Sequence, residues 1–404
     1  MKNSFKKKLL FITDSAPHNK LGGGNLTALN ICKSFHPKYE IYLINIEFED
    51  FKNFKFISEN IFIKKKNFVL SKKKKILEKI NIFNNSKNIF PAESLRSKID
   101  NITRKLEPDL VFCYGYHAMS ATAYLKHKNK IASLGDPPYL PQYYKIFTNL
   151  KYDLRKKFFY SLYLYINFIF RKFTQKRIIK NYIRNFKYVG AFAYHHAKKD
   201  LQCEYFCTPI SKQKILKRSY KIKKNLIIVH IGHMRGTVTL DSLHNLVLNI
   251  VPKIIELNPN INLEVRLIGK YFDKLPVKIY NKIIESGFYK NYGHIYNLNK
   301  IYKDADILIS PNTINLGIRV RLITALAQGL TILTHKSNKF GIPELKNNYN
   351  CLIANNTLDL AKACIKIFNN TKLKKKLEKN GLKTFNQKFS FNRFLNGIEK
   401  LTLK

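Results

Sequence analysis

The apolar positions of this chain cluster in short continuous runs, and between them the apolar residues recur at helical spacing. The first series comprises KLLFIT (8–13), EIYLINI (40–46), DLVFCYG (109–115), KIASL (130–134) and KYVGAFA (187–193), with a short strand near Cys203 to Cys207. Amphipathic stretches follow at 25–35 and after 115 through Lys126, whereas the Lys- and Asn-rich middle (64–100) is poorly patterned and reads as peripheral. The second series comprises NLIIVHIG (225–232), LEVRLIG (263–269), DILISP (306–311), LTILTH (330–335) and NCLIA (350–354). Helices are predicted at 240–257, at 319–328 with Gly329 as its stop, twice between Thr357 and Phe389, and from Ser390 to Leu403. Runs apolar on both faces, alternating with helices, predict parallel sheets with right-handed crossovers. Two series in 404 residues predict two α/β domains, 1–215 and 216–389, joined through the basic stretch Lys212 to Lys224. The last helix, 390–404, is long enough to return to the first domain. No repeat of solenoid period is visible.

Composition sharpens this picture in one respect. Apolar residues make up 45% and aromatics 13%, which excludes a disordered chain. Against 26 acidic residues stand 73 Lys and Arg, a formal charge of +47. Nucleic acid, an anionic membrane and phosphorylated substrates are all compatible partners for such a field. Enrichment in Lys, Asn, Ile, Phe and Tyr, with no Trp, fits a general compositional drift toward lysine. Basic residues are spread over the whole length, so no nucleic-acid-binding arm is predicted. Six cysteines, irregularly spaced and without a C-x-x-C pair, predict no zinc site and fit free thiols in a reducing cytosol. The apolar run before Asp14 is too short for a signal-peptide core and suits a first strand.

Phe158 to Phe170, FFYSLYLYINFIF, is the one membrane candidate, flanked by Arg155, Lys156 and Lys157 before and Arg171 and Lys172 after. It falls short of the ~20 residues that cross a bilayer. Two readings stay open: a buried helix of the first domain, slightly favoured, or a helix lying in the interface of an anionic membrane through 155–172.

Ligands of parallel sheets bind beyond the carboxyl ends of strands. Three such places carry chemistry. Gly22, Gly23 and Gly24 precede the first helix and leave backbone N–H groups bare for an anion or sugar, without the spacing of a dinucleotide or P-loop motif. After 225–232, Arg235, Gly236, Thr237 and Thr239 place a guanidinium and small donors at a strand-to-helix turn, suited to a diphosphate. After 306–311, Arg319 and Arg321 open an apolar helix, where the helix dipole disfavours cations unless an anion is bound.

The run GIRVRLITALAQG (317–329), followed by LTILTHKSNKFGIPEL, resembles the donor-binding motif of family-4 GT-B glycosyltransferases, G-x-R-x-K-x-x-E-A-x-A-x-G. The resemblance is strong from 225 to 389 and weaker before, in KLLFITDSAP, LGGGN and PDLVFCYG. It implies two Rossmann-like domains facing a cleft, with the nucleoside diphosphate sugar on the second. It also implies that Arg319 and Arg321 neutralise the departing diphosphate without a metal or other cofactor, and that configuration is retained. Gly22 to Gly24 would face phosphates and acceptor, and Arg235 would stand in for the family's basic residues after the second domain's first strand. The chain departs from the pattern at Thr324 and Leu316, where the family has glutamates, and at Tyr114, where it often has histidine. His117, three residues on, can serve the same place, and Asp136 can orient an acceptor hydroxyl or cap a proline turn. His195 and His196 read as packing or capping residues.

The expected activity is sugar transfer from a nucleotide sugar to a glycan or lipid-linked acceptor in cell-surface polysaccharide or lipopolysaccharide synthesis, in the cytoplasm or at the inner face of the membrane. A related epimerase or a silent sugar-binding protein is the alternative, but an epimerase wants carboxylates around the sugar and these loops are poor in them. A basic nucleic-acid-binding protein is the third reading, and no recognition motif supports it.

Overall fold

The computed structural model describes residues 6–18, 23–46, 54–63, 93–152, 158–215, 225–295 and 297–403. Gly22, the three basic residues 155–157, residues 64–92 and most of the predicted linker lie outside them. The chain divides into two compact units, Met1–Pro209 with Phe391–Lys404, and Ile210–Ser390.

The first unit is built on a seven-stranded sheet. Its strands are β1 (Lys7–Thr13), β2 (Tyr39–Ile46), β3 (Glu59–Ile63), β4 (Leu110–Tyr114), β5 (Lys130–Leu134), β6 (Tyr188–Ala191) and β7 (Glu204–Tyr205), in the order β3-β2-β1-β4-β5-β6-β7. Every pairing is parallel. β1 and β4 are buried almost throughout because helices cover both faces. Leu10, Ile12, Val111 and Cys113 meet helix residues Leu95, Ile99 and Met119 in one core. The helix Glu93–Leu106 belongs to that core, so the peripheral reading of 64–100 fails at its end. The final helix, Phe391–Leu403, belongs to this unit and seats Phe394 against Phe35, Phe112 and Phe206.

A buried lysine begins β5, inside this sheet. Lys130 donates to the carbonyls of Thr122, Ala123 and Leu125 at 2.8–2.9 Å, capping the helix Tyr116–Thr122 at its C-terminus. Burial pushes its ammonium down to about 8.

The second unit carries a six-stranded parallel sheet, β8 (Asn225–Ile231), β9 (Asn262–Ile268), β10 (Tyr289–Asn291), β11 (Ile307–Ser310), β12 (Ile332–His335) and β13 (Leu352–Ala354), ordered β10-β9-β8-β11-β12-β13. The helix predicted at 240–257 starts earlier, at Thr237–Asn245, and passes through a π-turn (Leu246–Ile250) into Val251–Leu257. Pro252, which has no N–H to give the ladder, sits where the α-helix resumes. The buried pair Lys374–Asp306 ties the helix Thr371–Lys388 to the start of β11, and Asp306 also accepts from the Ile227 N–H at 2.9 Å.

The segment read as 158–170 is the start of a longer helix, Phe158–Ile183, which pairs with Leu140–Tyr152. Its last third enters the main core through Ile179 and Tyr182, and its first part shares a small separate core of Tyr139, Ile146, Leu164 and Phe168. The favoured reading of a buried helix is wrong for most of 158–170: Phe159 is 84% exposed, and Leu162, Ile166 and Phe170 are about half exposed.

Candidate functional site

In the second unit the chemistry gathers at the carboxyl ends of β8 and β11. The helix Val320–Gln328 turns Leu322, Ile323, Ala325 and Leu326 into the core, and the apolar spacing alone explains that orientation. Arg319 stands as its N-cap, with no side-chain cap on the free N–H groups. Arg319 donates to the carbonyl of Leu316, which pins the preceding loop. That loop is also held from below, where Asp241 accepts from the N–H and hydroxyl of Thr313. Asn312 and Asn338 add a buried network with Ser310, Thr334 and Ser337.

Arg321 is half-buried, with its Nε wholly enclosed and without a partner. Its Nη2 reaches Ser310 Oγ at 3.5 Å, and among the described residues no carboxylate pairs with it. Burial, and next the charge of Arg319, push its guanidinium down to about 9. Two neighbours respond to that cation. Burial and Arg321 push His230 down to about 3, so it is neutral, and Tyr302 is fully buried with its hydroxyl unpartnered. A cation in this setting is unfavourable until an anion meets it.

Two glycines make room for this arrangement. A Cβ on Gly232, at the end of β8, would lie 2.8 Å from Arg321 Nη1 and 2.6 Å from Thr239 Oγ1. A Cβ on Gly269, at the end of β9, would overlap the carbonyl oxygen of Gly232. Small residues therefore bring both strand ends and the guanidinium together, which the two strand sequences hinted at by ending in glycine.

Arg235 is exposed and stands over the Tyr271 ring at 5.4 Å, while His233 packs against the same ring at 4.8 Å with the ring planes tilted by 53°. Tyr271 borders a crevice with Phe272, Asp273, Tyr280, Gly293 and His294. The helix that Thr237 opens has Gly236 as N-cap and no side-chain cap. Thr324 turns its hydroxyl to its own helix, donating to Val320 O at 3.1 Å. Leu316, like Arg319, is half-buried in the pinned loop.

In the first unit, Tyr114 ends β4 and Gly115 follows at φ 101°, where a Cβ would fall inside the Asp14 carboxylate. Asp14, just beyond β1, accepts from the His117 N–H at 2.9 Å and from Ser15 Oγ at 3.3 Å. The sequence reading missed Asp14, although a carboxylate following one strand and a glycine following its neighbour were signals. His117 itself is 2% exposed and Tyr114 7%, so both side chains line the interior of this edge. Burial, and next Asp14, push the Tyr114 hydroxyl well above its ordinary range. Gly23 and Gly24 open the helix Gly23–Phe35, and a Cβ on Gly24 would touch Ser15 Oγ and Tyr114 Oη at 3.8 Å. Asp136 is a third exposed and sits 3.6 Å from His196 Nε2, whose Nδ1 meets Asp200 at 2.8 Å. His196 therefore sits between two carboxylates. Among the described residues no three His, Cys, Asp or Glu side chains gather to hold a metal.

With this geometry in view, comparison with known proteins is decisive for the second unit: residues 225–370 match the family model for glycosyl transferases group 1. This stretch is a glycosyl transferases group 1 domain. No curated protein matches the chain. Solved structures match over nearly its whole length. Anabaena HepE in complex with UDP is 13% identical, with 97% of this chain and 98% of that one covered at a TM-score of 0.65. TarM is 12% identical with all of both chains covered at 0.66. Sucrose-phosphate synthase from Thermosynechococcus elongatus is 10% identical with 98% of each covered, also at 0.66. At such identities these matches establish the fold: two parallel-sheet α/β units of GT-B type.

Proposed function

We propose that the chain transfers a sugar from a nucleoside diphosphate sugar to a glycan or lipid-linked acceptor in cell-surface polysaccharide or lipopolysaccharide synthesis. The observation that carries this reading is Arg321, a cation with no carboxylate partner among the described residues, at an uncapped helix start inside a glycosyl transferases group 1 domain. Breaking the bond between sugar and diphosphate builds negative charge on the leaving oxygen. A fixed guanidinium stabilises that charge more than it stabilises the intact donor. Arg321 and Arg319 would hold the diphosphate and supply the charge a divalent ion otherwise brings, so the reaction proceeds without metal and, by analogy with the family, with retention. Arg235 and the Tyr271 crevice would receive the nucleoside end. HepE, seen with UDP and with UDP-glucose, supports a uridine donor, and the galactosyltransferase WaaB of the lipopolysaccharide outer core supports the pathway class. Asp136, positioned by His196 and Asp200, is the group in the first unit placed to take a proton from an acceptor hydroxyl. Six cysteines outside any disulfide fit work in the cytoplasm.

Melting the protein against UDP, GDP, ADP and their sugars tests the reading. Nucleoside diphosphates raise the melting temperature, and the Arg319→Ala, Arg321→Ala double variant folds but loses that rise. A double variant that binds the nucleotide as well as wild type would refute the donor site. Binding without release of nucleoside diphosphate would instead indicate a silent sugar-binding protein.

A further inference from the structure

The helix Phe158–Ile183 is packed against its own polarity. Toward the unit it turns Ser161, Arg171 and Gln175, buried beside Leu164 and Phe168. Toward solvent it turns Phe159, Leu162, Ile166, Phe170 and Phe173, with Phe173 74% exposed. The buried side is poorly satisfied. Ser161 Oγ, Arg171 Nε and both polar atoms of Gln175 lack partners, although Arg171 Nη1 donates to Gln142 Oε1 at 2.7 Å. Burial in water favours the opposite rotation, apolar side in and polar side out. Positions 159, 162, 166, 170 and 173 are three and four apart, so the exposed side chains form one continuous stripe. At 1.5 Å per residue the stripe is roughly 20 Å long, and among the described residues no helix is long and apolar enough to cross a membrane.

Charge chooses what covers this stripe. Phe158–Ile183 contains Arg171, Lys172, Lys176, Arg177 and Lys180 and not one Asp or Glu. Two copies of this face would bring like charges together, which disfavours self-association. Tyr160, Tyr163 and Tyr165 lie along it about half exposed, with the apolar body and polar tip suited to a headgroup boundary. We infer that this face docks on an anionic lipid bilayer, the helix lying in the plane of the interface with its aromatic stripe inserted and its lysines on headgroup phosphates.

Because the chain has no Trp, a single substitution makes a reporter. Ile166→Trp, and as control Val277→Trp on an exposed position of the second unit, are mixed with phosphatidylcholine vesicles with and without phosphatidylglycerol. The expected result is a blue shift of Ile166→Trp, quenched by brominated acyl chains, on phosphatidylglycerol vesicles only, and no shift of Val277→Trp. The variant Ile166→Ser, Phe170→Ser, Phe173→Ser binds those vesicles about a hundredfold more weakly, with unchanged circular dichroism. If the triple variant misfolds, the two tryptophan reporters decide alone. Vesicle binding without a blue shift, reversed by moderate salt, would show adsorption of a basic chain by charge and overturn the inference. A blue shift in lipid-free buffer that grows with protein concentration would show a second copy on the face and overturn it equally. Neither readout depends on nucleotide binding.

Discussion

Replacing Arg321 with methionine separates a cation kept for a ligand from one kept for the fold. Methionine preserves the length and apolar contacts of the side chain and removes the charge. The guanidinium falls from its ordinary range to about 9 because burial and Arg319 oppose its charge. At about 1.4 kcal/mol per unit, that shift corresponds to roughly 5 kcal/mol held against the unliganded fold. The residue is only half-buried, so solvent screening reduces the figure to about 2–3 kcal/mol. Arg321→Met is therefore expected to melt about 5–10 °C above wild type without ligand, using the usual shift per kcal/mol for a unit of this size.

On the proposed reading, the same substitution removes a forked donor from the diphosphate. Hydrogen bonds to charged groups contribute about 1.5–3 kcal/mol each, so losing two weakens nucleoside diphosphate binding at least about a hundredfold. Scanning fluorimetry gives the first number and titration calorimetry the second. A variant that melts several degrees lower and still binds nucleotide would show that Arg321 serves the fold, and the donor-site argument would fail.

Further expectations concern pH and close packing. Arg321 loses its proton in the free protein near pH 9, so nucleoside diphosphate affinity is flat to about pH 8 and falls by up to about tenfold per unit above 9. The unliganded fold moves the other way: the folded pKa lies below the unfolded one, the unfolded chain binds more protons there, and stability rises as pH climbs through 9. Calorimetry and urea melts across pH 7–10 read both signs. Gly232→Ala pushes Arg321 and Thr239 aside, and nucleotide binding drops about tenfold or more with a small change in melting. Asp14→Ala frees the His117 N–H and costs about 1–2 kcal/mol. Combined with Gly115→Ala it costs less than the two single changes added, because the new Cβ no longer meets a carboxylate, and a double-mutant cycle on urea melts measures that coupling.

The central strands were legible because β1, β4, β8 and β11 are apolar on both faces and stand between helices. β3 and β10 lie at sheet edges, with Glu59, Lys290 and Asn291 exposed, and a short half-solvated strand leaves no apolar run to read. The helix Glu93–Leu106 was hidden because only Leu95 and Ile99 of its apolar stripe are fully buried among charged neighbours. The arginine pair at 319 and 321 announced itself as charge at the head of an apolar helix. What sequence withheld was depth, since the enclosure of Arg321 depends on Gly232 and Gly269 from two other strands. Hydrophobicity likewise located 158–170 but not the side it faces, because the rotation of that helix follows from packing against 140–152.

Thr324 gives the last expectation its form. The family pattern has a glutamate there, one helical turn from Arg321 and close enough to share its charge. Here a threonine hydroxyl is spent on Val320 O, and among the described residues no carboxylate relieves the cation. A donor site built on these arginines would therefore grip through phosphate charge, with little hold on ribose. Binding should follow the number of phosphates more closely than the base: UDP, GDP and ADP within about tenfold of one another, UMP weaker by on the order of a hundredfold, and inorganic pyrophosphate competing with all three. Competition calorimetry measures the series. If UMP binds as well as UDP while GDP does not bind, recognition lies at the nucleoside, and the two arginines are not what holds the donor.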